Sequence, residues 1–430
     1  MKNNSMKQVD LSINNKKSYQ KFWLFLALIP LYILLKNVQA FSVNLPNMDD
    51  YDSILKFIAD WKTGSASQKL FLLFKQHNEH RILSSRLIYV LSYLITGGIN
   101  FVTLIYFANL QLIILAIILV YFTSNILKRH WGLMAILIAM CVFDLSSYEN
   151  SGFAMSGMAN YGVIAFFFMS LFCYSKQNSL WLLPAILFHF ICTFSGGSGM
   201  IGGLGLLVFV LLSEKNLTKT ISVVIANIVF DVLYFVDFTK VDNGLKGKNL
   251  TDMFDFFMKL SAAHFDYDNR FSIAIILFLV LIVAIFLTWK KNKSIKTDAA
   301  AFISILFFLL ATIASISVFR SGGKEGIDHD SYSSRYLILS HLLAITVFVI
   351  LFFAIPSEKI RWVLFGVFSL ITIKSYQLNY QYGVDGFERT HDRLLRVKYY
   401  YPDEKTAEKI ATDVCAKNIY CIEENREENQ

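Results

Sequence analysis

The stretch FWLFLALIPLYILLKNVQAFSVNLPNMDDYD, residues 22–52, decides how the rest of the chain is read. Its first part, residues 22–41, carries a single charge, Lys36. That is the length a helix needs to cross a bilayer core of about 30 Å. Residues 1–21 before it are polar and Lys-rich, and no small-residue cleavage site follows. It therefore reads as a membrane anchor that stays in place, not as a cleaved signal. The second part turns polar at once and reaches Met48-Asp49-Asp50-Tyr51-Asp52. Further along the same loop comes His77-Asn78-Glu79-His80-Arg81. Acids, bases and cations gathered beside one membrane face point to chemistry, or to anion binding, at that face.

Composition agrees with the opening stretch. Of 430 residues, 55% are hydrophobic, including 39 Phe, and the mean hydropathy is +0.49. A water-soluble fold of this make-up would expose large apolar patches, so a polytopic, all-α membrane protein follows. The formal charge is +8. The basic residues gather in short connections between apolar segments, where topology and lipid headgroups account for them. No nucleic-acid partner is expected.

A ruler of about 20 apolar residues gives spans near 22–41, 100–127, 131–145, 158–174, 180–195, 200–213, 220–238, 271–289, 299–318, 336–355 and 362–378, about 11 transmembrane helices. The charges order them. If Lys16 and Lys17 lie in the cytoplasm, every second connection should be basic. Those connections hold Lys128-Arg129-His130, Tyr174-Ser175-Lys176, Glu214-Lys215 with Lys219, Lys290-Lys291-Asn292-Lys293, and Glu358-Lys359-Ile360-Arg361. All are basic. The expected organisation is a cytoplasmic tail over 1–21, a transmembrane domain over 22–378 and an extracytoplasmic tail over 379–430. Loops 42–99, 146–157, 239–270 and 319–335 share the outer side.

Residues 82–99 are apolar enough to be a further span, but a crossing there would invert every later basic loop. They are expected to form a helix in the interface or within the protein, ended by Thr96-Gly97-Gly98. The first loop reads as amphipathic helices. One begins at an Asn47 or Asp49 cap and runs through Trp61; a second covers 67–77 after Gly64-Ser65. Cys415 and Cys421 sit six apart on the side assigned as oxidising, which makes them disulfide candidates. Cys141, Cys173 and Cys192 fall in spans and read as packing residues. No internal repeat stands out, which weighs against transporters built on inverted repeats.

Three constellations carry the chemistry. Asp49-Asp50 could serve only as a helix cap. Partial desolvation beside the membrane would instead raise a carboxylate pKa and make it a better base, with the second Asp orienting a hydroxyl or holding a divalent cation such as Mg2+ or Mn2+. His77, Glu79, His80 and Arg81 form the second constellation. On a helix, His77 shares a face with His80 and Arg81, a set suited to a phosphate or to two metal ligands. Its alternative is a solvated interfacial helix. Arg320, Arg335 and Tyr336 form the third, read as anion-binding cations or as snorkelling side chains. Ser195-Gly196-Gly197-Ser198-Gly199 closes another outer end, reading as a tight turn between spans, with backbone N–H groups offered to an anion as the alternative. Asp144, Glu149, Asn150 and Asn160 line the same side as candidate hydroxyl binders, and Asp231 and Asp237 sit toward the outer end of a span.

With Asp49-Asp50 just after the first span, and amphipathic helices in the loop that follows, the chain resembles the GT-C class of integral-membrane glycosyltransferases. The likeness of architecture covers most of the chain; that of motif covers the two aspartates. The resemblance implies a bacterial cytoplasmic-membrane enzyme that moves a sugar from a polyprenyl-phosphate donor to a cell-surface glycan or lipid. Asp49 or Asp50 would be the general base and the transfer would invert the anomeric carbon. Arg81, Arg335 and His80 would stabilise the departing polyprenyl phosphate. The small C-terminal region and the absence of a sequon-reading motif argue against protein N-glycosylation. An O-antigen polymerase or ligase, and a lipid-linked sugar flippase, are the alternative functions.

Overall fold

Apolar runs of this length fold as helices because a chain without water beside it must pair its backbone groups within its own segment. The computed structural model describes residues 20, 22–127, 131–213, 216–241, 244–247, 249–265, 268–291, 297–323 and 325–423. Within them the fold is helical apart from one two-residue strand pair. Lys16, Lys17, Lys128, Arg129, His130, Glu214, Lys215, Asn292 and Lys293 lie outside the described residues.

The first helix, α1 (Phe22–Phe41), is one of eight among the described residues that are long and apolar enough to cross a membrane. The loop after it begins with a π-helical turn, Tyr51–Lys56, which runs into α2 (Phe57–Thr63). Asp50, not Asn47 or Asp49, precedes the first helical residue, and its side chain does not cap the turn. Helix α3 (Ala66–Phe74) starts on a reciprocal cap in which the Ser65 side chain accepts the Gln68 N–H and Gln68 Oε1 accepts the Ser65 N–H. Strands β1 (Gln76–His77) and β2 (His80–Arg81) follow, then α4 (Leu83–Thr96), closed by Gly97 in the left-handed conformation. At about 1.5 Å per residue, α4 is roughly 21 Å long, short of a bilayer core of about 30 Å.

The bundle continues through α5 (Phe101–Leu127), α6 (Trp131–Val142), a 3-10 turn (Leu145–Ser147), α7 (Tyr148–Gly152) and α8 (Ala154–Ser175). Then come α9 (Leu182–Thr193), α10 (Gly199–Leu212), α11 (Leu217–Phe235), α12 (Leu250–Ser261) and α13 (Arg270–Lys291). The last are α14 (Thr297–Arg320), α15 (Ile327–Asp330), α16 (Ser334–Ala354), α17 (Glu358–Arg396) and α18 (Glu404–Ala416). The eight long apolar helices are α1, α5, α6 continued into α7, α8, α11, α13, α14 and α16. Three of the expected spans are not among them. Helices α9 and α10 have only 12 and 14 residues. The 362–378 segment belongs to α17, which continues unbroken for 39 residues to Arg396.

Helix α16 is the most enclosed, with 89% of its apolar window buried. Aromatic rings lock the layers around it, Phe348 stacking on Phe368 at 4.0 Å and Phe167 on Phe308 at 4.3 Å. The connections sort into two ends. At one, Lys219 Nζ donates to the carbonyls of Tyr174 and Lys176, Asn125 bonds Asp298, and Gly132 N–H meets Gln20. At the other, the first loop meets the C-terminal segment: Ile99 N–H donates to Ile419 O at 3.0 Å, Tyr420 OH to Asn44 O at 2.6 Å and Lys62 Nζ to Lys417 O at 2.6 Å. A disulfide joins Cys415 to Cys421 in that segment, while Cys141, Cys173 and Cys192 are free and buried.

Candidate functional site

At the first-loop end, α1, its following loop, α7, α8, the start of α16 and the end of α17 enclose a cavity of about 230 Å³. Its apolar lining includes Phe41, Leu45, Phe101, Ile105, Phe153 and Phe387. Its charged lining is Asp49, Asp50, Glu149, Arg335 and Arg393. The combination suits a ligand with a lipid-like body and a charged head.

The chain brings Asp49 here through a strained step. Met48, just before it, adopts φ 46° in the left-handed region, held by its N–H donating to Tyr400 O at 2.9 Å. The two aspartates then diverge. Asp50 is 1% exposed; its Oδ2 accepts the Asn47 N–H and its Oδ1 the Met155 N–H, each at 3.0 Å. Burial pushes its carboxyl well above the usual carboxylate range, with the Asp49 charge adding to the shift against those two bonds. Asp50 thereby ties the first loop to the start of α8. Asp49 is half-buried, and among the described residues its carboxylate has no hydrogen bond or ion pair.

Arg335 opens α16 and reaches Glu149 of α7, Nε to Oε2 at 3.4 Å, close enough to Asp49 to feel its charge. The Glu149 N–H donates to Ser334 Oγ at 3.0 Å, and Asn150 Nδ2 to Arg335 O at 2.9 Å, so α7 and α16 hold each other in register. Asn150 Oδ1 in turn accepts from Ser156 at 2.7 Å and Asn160 at 2.8 Å. Arg393, carried in by the long reach of α17, donates to Tyr400 OH at 2.5 Å. The sequence did not mark Arg393, Thr390 or Tyr400 as site residues, because nothing local distinguishes them from other polar positions of a helix and tail.

The second constellation folds differently from its expectation. His77–Arg81 is not a helix but a hairpin, pairing His77 with His80 and Gln76 with Arg81. Asn78 takes φ 48° in the two-residue turn, a conformation that Asn tolerates better than most residues and that ends any helix. None of these residues lines the cavity. Arg81 is buried and donates to the carbonyls of Phe74, Tyr234 and Val236. Three of its five N–H donors go to carbonyls at helix ends. Glu79 pairs with Arg320 at 3.3 Å, and His80 packs its ring against Gly197, where a Cβ would lie 3.0 Å from Nδ1. Partial burial lowers the His77 pKa, opposed first by the Asp49 charge. Tyr336 packs against the core beside the cavity instead of lining it. Asp231 lies in α11, and Asp237 just beyond that helix takes φ 54°.

The residues present do not suit a divalent cation at Asp49-Asp50. Both Asp50 oxygens are taken by backbone N–H groups, which leaves one free carboxylate and no chelate. Among the described residues, the group of acids and histidines close enough to share an ion is Glu325, His329 and Asp330, in and just before α15. The chain matches no protein-family model, and no curated protein matches it.

Proposed function

We propose that this chain is a bacterial membrane glycosyltransferase that moves a sugar from a polyprenyl-phosphate donor to a cell-surface glycan or lipid acceptor. The observation that carries the reading is Asp49, whose carboxylate makes no hydrogen bond or ion pair among the described residues, in a cavity lined by apolar side chains together with Arg335 and Arg393. The base takes the proton of an acceptor hydroxyl. The oxygen attacks the anomeric carbon from the face opposite the phosphate, the C–O bond to phosphate breaks, and the anomeric configuration inverts. Arg335 and Arg393 receive the phosphate, whose negative charge grows as it leaves. The isoprenoid chain lies along Phe41, Leu45, Phe101 and Phe387.

In this reading α9, α10 and α17 complete eleven passes, with the N-terminus cytoplasmic and the C-terminus outside. A lipid-linked sugar transporter is the second reading, favoured by a buried Asp–His–His cluster within the bundle. Purified protein in proteoliposomes, supplied with a polyprenyl-phosphate sugar and acceptor, separates the two. Asp49→Asn is expected to lower transfer by a factor on the order of 100 or more, and Asp50→Asn to retain turnover in whatever fraction folds. Full activity in Asp49→Asn would overturn the assigned base. Donor movement across the bilayer with no transfer would favour transport.

A further inference from the structure

Within the bundle lies a cluster that the proposed transfer does not use. Asp144 closes α6, His341 lies two turns into α16, and His264 follows α12; their exposures are 3%, 0% and 2%. Asp144 Oδ1 accepts the Ser146 N–H at 2.9 Å and the Ser146 O–H at 2.5 Å, and Oδ2 accepts from Asn379 Nδ2 at 3.0 Å. His341 Nε2 stands 3.3 Å from Asp144 Oδ1 and 2.9 Å from Ser146 Oγ. On the other side of the ring, its Nδ1 is 2.8 Å from Nδ1 of His264. The His264 N–H donates to Ser340 Oγ at 2.8 Å, its carbonyl accepts from Ser375, and its buried Nε2 has no partner. The order Asp144, His341, His264 is thus a line and not a chelating cage, because the two histidines face each other through the same nitrogen type.

Two ring nitrogens at that separation must have a proton between them, since two lone pairs would repel. Of the possible proton placements, two also put an N–H between His341 and Asp144. If both rings are neutral, His264 donates from Nδ1 to His341, His341 donates from Nε2 to Asp144, and the cluster carries one net negative charge in an apolar interior. If one proton is added, His341 becomes imidazolium, donating from Nε2 to Asp144 and from Nδ1 to His264, and the cluster is neutral overall. Burying an uncompensated carboxylate costs several kcal/mol or more. No lysine or arginine contacts the cluster among the described residues, and Arg270 turns instead to Ser331 and Asp328. Cys141 of α6, Tyr161 of α8 and Tyr376 of α17 also feel the Asp144 charge, and none of them supplies a cation near neutral pH. Among the described residues, the ring placed to balance Asp144 is His341. Burial pushes the His264 ring down to about 3, with the neighbouring His341 adding to the effect, which suits a neutral acceptor.

We propose that Asp144, His341 and His264 form a buried proton-binding site that holds one proton beyond two neutral imidazoles. The proton comes from solvent. It can also shift along the line: the Nδ1–H bond of His341 breaks as an Nδ1–H bond on His264 forms, the positive charge moves one ring, and Asp144 stays ionised. No electron changes hands.

The test is ring-nitrogen NMR on the purified full chain in micelles with isotope-labelled histidine, which reads protonation directly and is independent of any transferase activity. At pH 8, above the ordinary imidazole range near 6.5, one of the 8 histidines is expected to show both ring nitrogens protonated. That signal should vanish in His341→Gln and convert to a neutral-ring pattern in Asp144→Asn. If His341→Gln fails to fold, His264→Gln serves: the imidazolium should remain while the Nδ1–H···Nδ1 coupling between the two rings is lost. Neutral patterns for every histidine of the folded wild type at pH 8 would overturn the proposal, leaving a static hydrogen-bond network. So would an imidazolium that survives in His341→Gln.

Discussion

Asp49 and Asp50 are the same residue type one position apart, and their surroundings give them opposite chemistry. The buried Asp50 meets two backbone N–H groups and no cation, so burial outweighs hydrogen bonding and its carboxyl holds a proton well above the usual range. The sign of the consequence is fixed. The folded pKa exceeds the unfolded value near 3.9, so the folded state binds more protons between the two. Stability is then full below the unfolded value and declines as pH rises toward the folded one, by at most about 1.4 kcal/mol per pH unit for one group. Unfolding of the wild type in micelles from pH 4 to pH 7 should show this decline, and Asp50→Asn should flatten it. Identical profiles in the two would mean that Asp50 ionises freely. Asp50→Ala is a different lesion, because it strands the N–H groups of Asn47 and Met155 at about 1–3 kcal/mol each.

At the scale of elements, a buried arginine ties the first loop to the bundle. Arg81 draws carbonyls from the end of α3, at Phe74, and from the end of α11, at Tyr234 and Val236, where the unpaired C=O groups of two helices point. Arg86 repeats the device on the carbonyls of Leu73 and Lys75. Lysine in place of Arg81 keeps the charge but loses the planar fork, so Arg81→Lys should cost about 3 kcal/mol of stability, read by unfolding in micelles. A rise in donor KM with unchanged stability would restore the phosphate-gripping role instead. The sequence made the long helices legible because hydrocarbon sets their length. It also exposed the α4 boundary, through Gly97, and the break at Gly64. The hairpin was harder to see, since His77, His80 and Arg81 fit helical spacing as well as a turn; Asn78 before Glu79 was the available cue. The cavity was half legible. Asp49, Asp50 and Arg335 stand out as charges beside spans, whereas Arg393 and Tyr400 join them only through the reach of α17 and the docking of the tail, contacts that no local pattern encodes.

Across the whole molecule, the connections divide into two sets that meet at opposite ends. Those expected outside touch one another: Glu79 with Arg320, Gln76 with Thr239, Lys259 with Asp328, and the first loop with the tail. Those expected inside do likewise through Lys219, Lys176, Asn125 and Asp298. Lysines and arginines resist translocation, so the end holding the short basic connections should face the cytoplasm. Single cysteines can read this, because the native thiols at 141, 173 and 192 are buried and 415 is bonded to 421. Ser67 of α3, Lys405 of α18 and Gln177 between α8 and α9 are exposed positions. In intact cells a membrane-impermeant maleimide should label Ser67→Cys and Lys405→Cys, and should reach Gln177→Cys only after permeabilisation. The opposite pattern would place Asp49 and its cavity in the cytoplasm. A nucleotide-activated sugar would then be the accessible donor, and the polyprenyl-phosphate reading would fall with the topology.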